Sequence, residues 1–111
     1  MEYYEVAASW WKKQVCNLNE CRFNERYKEG VEGFEKSLAK SIMDNVNEHG
    51  FMFITADNYS KELFEKLSKI QRINIKDIPE EIAMFIRPYN VTVVTGGLGN
   101  INIIYQREQQ T

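Results

Sequence analysis

The sequence predicts an α+β fold in which helices pack on one face of a mostly antiparallel sheet, in the order α-α-β-α-β-β-β with a C-terminal β-meander. Between Ile82 and Gln106, runs rich in β-branched and aromatic residues are separated by turn signals, a pattern typical of strands joined by hairpins. The preceding residues contain segments with apolar side chains every three to four positions, which is the spacing of amphipathic helices. Helices and hairpins in this order favour a layer of helices on an antiparallel sheet.

The length and composition indicate one domain. A chain of 111 residues with 43% hydrophobic residues buries enough surface for one conventional core, and it is too short for two. We expect residues 1–106 to form a single α+β domain and residues 107–111 to form a polar tail.

The first helix is predicted from Glu2 to Val15 and is apolar around most of its circumference. Its two apolar rows are Tyr3, Val6, Ala7 and Trp10, and Tyr4, Ala8, Trp11 and Val15. Such a helix needs cover on two sides, so it is either sandwiched within the domain or presents one tryptophan to a partner. Residues 16–24 are rich in asparagine and predict a connection.

The second helix is expected to begin between Arg26 and Val31 and to end at His49, because Gly50 is suited to the left-handed position that stops a helix. Gly30 and Gly33 weaken its first turns by up to about 1 kcal/mol each relative to alanine. The run that follows, residues 51–55, is apolar and predicts a short buried strand.

The third helix can be capped by Asp57 or Asn58. Its predicted core stripe is Tyr59, Leu63, Leu67 and Ile70, with Phe64 adjacent. After this helix, residues 72–78 alternate in polarity, which predicts a brief pairing with the sheet.

A strand at Ile82 to Arg87 competes with a helix that could start just before it, and the hairpin chemistry that follows favours the strand. Pro88 presets φ at the first turn position and Asn90 tolerates the left-handed conformation, which predicts a hairpin into Val91 to Thr95. A glycine-rich turn then leads into the last strand, at Ile101 to Tyr105.

The charge pattern disfavours nucleic acid and membrane as direct partners. A net charge of −2, with acids and bases interleaved, lacks the basic stripe on which phosphate binding depends. No apolar run approaches the roughly 18 residues of a membrane span, and the amino terminus lacks the pattern of a signal peptide. We therefore expect a cytoplasmic protein.

Metal binding and catalysis are poorly supported. The weak metal candidates are Cys16, Cys21 and His49, and structural zinc normally needs four ligands. The lone histidine is also the one available base for a nucleophilic triad, and the glycine-rich turn precedes a strand rather than the helix of a phosphate loop. We expect no cofactor, no metal, no catalytic residues and two free thiols.

The residue types enriched in binding hot spots indicate a protein-binding role. Arginine and large aromatic residues dominate such sites, and exposed turns often carry function. The predicted partner-binding residues are Trp11, Arg22, Arg26, Tyr27 and Tyr89. At least one of the two tryptophans is nevertheless expected in the core.

The AASWW helix, together with the segment IPEEIAMFIRPYNVTVVTGGLG, resembles small accessory proteins encoded by bacteriophages and prophages of Gram-positive bacteria. Some of these are anti-CRISPR or other anti-defence inhibitors. The resemblance lies in size and segment pattern over most of the chain. It implies a non-catalytic inhibitor that binds a host nuclease complex and blocks its engagement with nucleic acid. The alternatives are a small homodimeric structural or regulatory protein, and a zinc-stabilised domain or small enzyme.

Overall fold

Over residues 1–78, 81–96 and 99–107, which the computed structural model describes, α-helices and strands follow in the order α-α-β-α-β-β-β. This confirms the predicted α+β class with its C-terminal meander. The elements are α1 (Tyr3–Val15), α2 (Glu25–His49), β1 (Met52–Thr55), α3 (Asn58–Gln71), β2 (Ile82–Arg87), β3 (Asn90–Thr95) and β4 (Asn100–Gln106).

The four strands lie side by side in the order β1-β2-β3-β4, and each neighbouring pair is antiparallel. Strand β1 therefore extends the meander by pairing with β2, although α3 separates them along the chain. The register of β4 against β3 shifts between Val91 and Thr92, which leaves Ile104 as the extra residue of a β-bulge.

The ends of the long helices are fixed by local hydrogen bonds. The Asn24 side chain accepts a hydrogen bond from the Tyr27 amide at the start of α2, and the Asp57 side chain accepts one from the Ser60 amide at the start of α3. Each satisfies a backbone donor that has no partner inside the helix. At the end of α2, Gly50 has φ of 86°, as predicted for a glycine stop.

The core lies between α1, α2 and one face of the sheet. Helix α1 packs on β2, β3 and β4, whereas α2 packs on β1 and α3. Trp11, Phe34 and Phe64 are completely buried, and the ring of Phe64 contacts both of the others. These three rings connect α1, α2 and α3.

Two glycines allow α2 to approach the end of α3 closely. A Cβ on Gly30 would overlap Ile73 Cγ2 and lie 3.1 Å from the backbone oxygen of Gln71. A Cβ on Gly33 would overlap the side-chain amide of Gln71 instead. Gly30, which weakens the first turns of α2 as a helix, is thus required for its packing, whereas at Gly33 the flexible end of the Gln71 side chain can move away.

The structure corrects two strand predictions. Residues 72–78 form no strand; they run beside α2 and the end of α1, where the Lys76 amide donates to the Val15 carbonyl at 2.6 Å. Strand β1 is buried on one face only, because Phe53 is 53% exposed while Met52 and Ile54 are buried. As an edge strand with no helix of the described residues on its second side, it alternates in burial instead of being buried throughout.

The buried face of α3 also differs from the predicted stripe. Phe64 and Leu67 are buried, and the hydroxyl residues Ser60 and Ser68 join them, whereas Ile70 is 61% exposed. The Tyr59 side chain, residues 97–98 of the glycine-rich turn and residues 108–111 of the predicted tail lie outside the described residues.

Candidate protein-interaction surface

One face of the sheet carries no helix in the described part of the chain. Side chains alternate between the two faces of a strand, and on β2 the residues Ile82, Met84 and Ile86 are buried. Their neighbours Ala83 and Phe85 point to the opposite side, which we call the outer face. In register across the strands, the outer face comprises Phe53, Thr55, Ala83, Phe85, Arg87, Asn90, Thr92, Val94, Ile101, Ile103 and Gln106. Phe51 joins it through its ring contact with Phe85.

An aromatic cluster occupies the β1 side of the outer face. The rings of Phe51 and Phe85 are stacked at 5.6 Å between centroids, and the ring of Phe53 lies 5.8 Å from that of Phe85. The guanidinium carbon of Arg87 lies 4.4 Å from the centroid of Phe85, a cation–π geometry. Stacking and the cation hold these rings in place without burying them.

The β4 side of the outer face is aliphatic. Ile103 lies two strands from Phe85 in the same cross-sheet row, with Thr92 between them, and Ile101 pairs with Val94. Ile101 and Ile103 are 70% and 53% exposed. The apolar character therefore extends from one edge of the sheet to the other.

The exposed apolar area of the outer face reaches the size at which surface patches are often functional. Phe51 and Phe53 are 48% and 53% exposed, so together they present about 200 Å² if a whole aromatic side chain presents about 200 Å². The isoleucines add a similar area. Monomeric proteins rarely expose contiguous apolar patches larger than a few hundred Å², and those that exist are often functional.

The outer face is almost uncharged. Arg87 is the one charged residue in the four strands as described. It also donates toward the Tyr89 hydroxyl at 3.4 Å, so the predicted hairpin residue Tyr89, which is half-buried, lies at the rim of the aromatic cluster. An apolar centre with a single cation at its rim suits a protein surface rather than a phosphate backbone.

Two of the predicted binding residues belong to the core. Trp11 has no exposed surface and Tyr27 is 7% exposed, so neither is accessible to a partner in this conformation. Trp11 is buried because its ring packs against Phe64. The Tyr27 hydroxyl accepts from the Asn17 amide at 2.9 Å and donates to the Asn74 carbonyl at 3.0 Å. We therefore remove both residues from the predicted surface.

The other predicted residues remain accessible. Arg22 lies in a short 3-10 turn before α2, and Arg26 lies in the first turn of α2; both are exposed. Beside them, Phe23 is 89% exposed and Leu18 is 41% exposed. This loop patch is a second, smaller apolar surface.

The weak metal ligands are not brought together. Within the described residues, no group of three or more His, Cys, Asp or Glu side chains is placed to hold a metal ion. Cys21 precedes α2 and His49 is its last residue, so about 36 Å of helix separates them at 1.5 Å per residue.

The two thiols are free and differ in environment. Cys16 is completely buried and Cys21 is partly exposed. Burial, reinforced by the nearby Cys21, raises the pKa of the Cys16 thiol to about 11. Because the thiolate is the reactive form, Cys16 is protected from chemistry at neutral pH.

His49 is exposed at the end of α2, with its Nε2 atom 3.8 Å from a carboxylate oxygen of Glu48. A depression of about 270 Å³ lies elsewhere, between α3 and residues 73–78, and its polar lining includes Lys61, Lys69 and Lys76.

The outer face was not among the surfaces predicted from the sequence. The segment FMFIT contained the signal, because its phenylalanines alternate with Met52 and Ile54, but the apolar residues on both faces concealed which face the helices cover. Only the docking of β1 at the sheet edge exposes Phe51 and Phe53.

None of the helices within residues 1–78, 81–96 and 99–107 combines the length and apolarity that crossing a membrane requires. In comparisons with protein-family models, curated proteins and solved structures, no match to this chain was found.

Proposed function

We propose that this protein is a non-catalytic binding module that docks a protein partner through its outer face. The observation that carries the proposal is the continuous apolar surface from Phe51 and Phe53 to Ile101 and Ile103, on the side of the sheet opposite the helices. The core does not require these side chains to be apolar, because they pack on no helix in the described residues.

The energetic gain of covering this surface is adequate for specific binding. Burial of the roughly 200 Å² that Phe51 and Phe53 present would yield about 5 kcal/mol before the costs of association, at about 25 cal/mol per Å². Aromatic residues in the centre of an interface are typical hot spots. The cluster is held by ring contacts, so little side-chain entropy is lost on binding.

A protein fits this surface better than a nucleic acid. Exposed rings on a sheet can stack bases, but single-strand binding also needs a cationic groove along the backbone. Arg87 is the one cation in the described strands, and the net charge is −2. The partner that matches is an apolar protein patch with an acidic group near Arg87.

The finer form of the proposal is a phage-type inhibitor, anti-CRISPR or otherwise anti-defence, that acts in the cytoplasm on a host nuclease complex. Its support is the resemblance in segment pattern, together with a surface suited to protein contact. In this form, docking of the outer face would block the nuclease from engaging nucleic acid.

Affinity capture with matched variants tests the proposal. The wild type, the outer-face variant Phe51→Ser/Phe53→Ser and the control Ile70→Ser, which changes an exposed apolar residue on α3, are each used as bait in lysate of the source organism. We expect a protein whose recovery falls at least about fivefold with the outer-face variant, as expected for a loss above 1 kcal/mol, and is unchanged with Ile70→Ser.

A fourth bait, Phe23→Ser, distinguishes the outer face from the loop patch. Loss of the partner with Phe23→Ser but not with the outer-face variant would move the binding site to the loop and contradict the proposal. Tight binding of a single-stranded oligonucleotide by the wild type at physiological salt would replace the protein partner with nucleic acid.

A further inference from the structure

Strand β4 is an edge of the sheet formed by the described residues. It pairs with β3 on one side, so its other side presents backbone N–H and C=O groups with no strand neighbour among those residues. Asn100, Ile101, Asn102 and Ile103 are all exposed. The edge is therefore accessible to an additional strand.

The opposite edge, β1, is less suited to pairing. It has four residues, and a short edge strand is a common protection against association. Strand β4 has seven residues, NINIIYQ, with no charge and no proline, so it lacks the side chains that usually block an edge. The bulge at Ile104 leaves Asn100 to Ile103 in regular register.

Helix α1 has an uncovered apolar strip at the same side of the molecule. It packs on β2, β3 and β4 and against α2. Between α1 and β4, a groove of about 250 Å³ is lined by Met1, Val6, Ser9, Trp10, Lys13 and Ile104. Val6 and Trp10 are half-buried. The sequence predicts that α1 packs against other residues on two sides. The described residues do not fully bury this strip, so part of that second side stays exposed to solvent.

We propose that a second copy of the chain covers this edge, through antiparallel pairing of the two β4 strands. A two-fold axis perpendicular to the sheet places Asn102 opposite Asn102 of the second copy, and Ile101 opposite its Ile103. The isoleucines then form two apolar cross-strand pairs on one side. The two four-stranded sheets become one continuous sheet whose outer faces lie on the same side.

The same axis places the two α1 helices side by side and antiparallel. The strips with Val6 and Trp10 then bury each other. This contact adds apolar area to the strand pairing, which by itself is smaller than the roughly 800 Å² per copy of a typical stable interface. Glu2 and Glu5 lie at the start of α1 and Lys13 at its end. In an antiparallel pair, each acidic end therefore meets the basic end of the other copy.

The test is a sedimentation concentration series on the full chain from about 5 to 200 µM, a range that detects dissociation constants in the micromolar region. We expect the wild type to approach twice the chain mass of 13.1 kDa. Asn102→Lys and Asn102→Asp each place like charges opposite each other at the axis, so each should raise the dissociation constant at least tenfold. A mixture of these two variants should restore the dimer, because opposite charges then meet. The control Asn47→Lys, at an exposed position of α2, should match the wild type.

Three results would overturn the proposal: a wild type that stays monomeric throughout the series, Asn102 variants that dimerise as tightly as Asn47→Lys, or a mixture that fails to restore the dimer. Circular dichroism of each variant establishes that it is folded. If an Asn102 variant does not fold, Lys13→Glu tests the α1 layer, because it puts an acidic residue opposite the acidic helix start, Glu2 and Glu5, of the second copy and should also weaken the dimer. The proposed partner surface is tested separately, since Phe51 and Phe53 lie at the opposite edge of the sheet from β4.

Discussion

Tyr27 joins three segments that are distant in sequence. Its hydroxyl bonds to Asn17, after α1, and to Asn74, after α3, while its own residue belongs to α2. Tyr27→Phe keeps the ring but leaves the Asn17 amide and the Asn74 carbonyl without their partner. We expect the free energy of unfolding to fall by about 1–3 kcal/mol, measured by urea unfolding. Tyr4→Phe, at a half-buried position of α1, is the control, and an equal loss in both variants would contradict this role.

Alanine substitutions at the two glycines of α2 should change the free energy of unfolding in opposite directions, although the glycines lie one turn apart. Gly30→Ala forces a methyl group against Ile73 and the backbone of Gln71, and should lower the free energy of unfolding by about 1–3 kcal/mol. Gly33→Ala meets only the flexible end of the Gln71 side chain, which can move away. The higher helix propensity of alanine should therefore dominate and raise the free energy of unfolding by up to about 1 kcal/mol. Thermal unfolding of both variants is the measurement. If Gly30→Ala were the more stable variant, the contact of α2 with Ile73 and Gln71 would not require a glycine at position 30.

We expect the protein to lose stability at alkaline pH because the buried Cys16 thiol must ionise there. Burial raises its pKa from 9.0 to about 11, so the unfolded chain ionises this thiol at a lower pH than the folded protein does. The contribution of the protonated Cys16 thiol to the free energy of unfolding is therefore fully present below pH 9 and is lost as pH rises through 11. Urea unfolding across this range should show a steeper decline in the wild type than in Cys16→Ala. Cys21→Ala, which changes the more exposed thiol, should retain most of the decline, and parallel curves for the wild type and Cys16→Ala would refute the assignment.

At the scale of elements, periodicity predicted the helices and strands but not always their orientation. The ends of α2 and α3 follow from local signals, Gly50 and Asp57, which require no knowledge of the rest of the chain. In α3, apolar spacing favoured a stripe that includes Ile70, yet the helix buries Ser60 and Ser68 and exposes Ile70. The fit of Phe64 between Trp11 and Phe34 fixes the rotation of the helix, and that contact is long-range.

The two faces of β1 should respond differently to truncation. Ile54 is 1% exposed and faces the helices, so Ile54→Ala should lower the free energy of unfolding by about 2–5 kcal/mol. Phe53, its neighbour on the outer face, is half exposed, and Phe53→Ala should cost less than about 1 kcal/mol. Chemical denaturation of both variants provides the comparison. A large cost for Phe53→Ala would mean that the aromatic cluster serves stability rather than binding.

At the scale of the whole molecule, the sequence was sufficient for the fold class but not for the candidate site. Helical spacing and turn residues act over a few positions, which is why the meander from Ile82 onward could be predicted. The outer face depends on which side of the sheet α1 and α2 cover and on β1 docking at an edge, and neither is encoded locally. The burial of Trp11 and Tyr27 has the same origin, because hot-spot residue types are also core residue types.

If the outer face binds a protein, a captured partner should have different affinities for the folded wild type and the folded outer-face variant. Isothermal titration calorimetry gives both values under the same conditions. We expect binding at least tenfold weaker for Phe51→Ser/Phe53→Ser, with Ile70→Ser unchanged and a negative heat-capacity change for the wild type, the signature of apolar burial. Equal affinities for the wild type and the outer-face variant would contradict binding through the outer face.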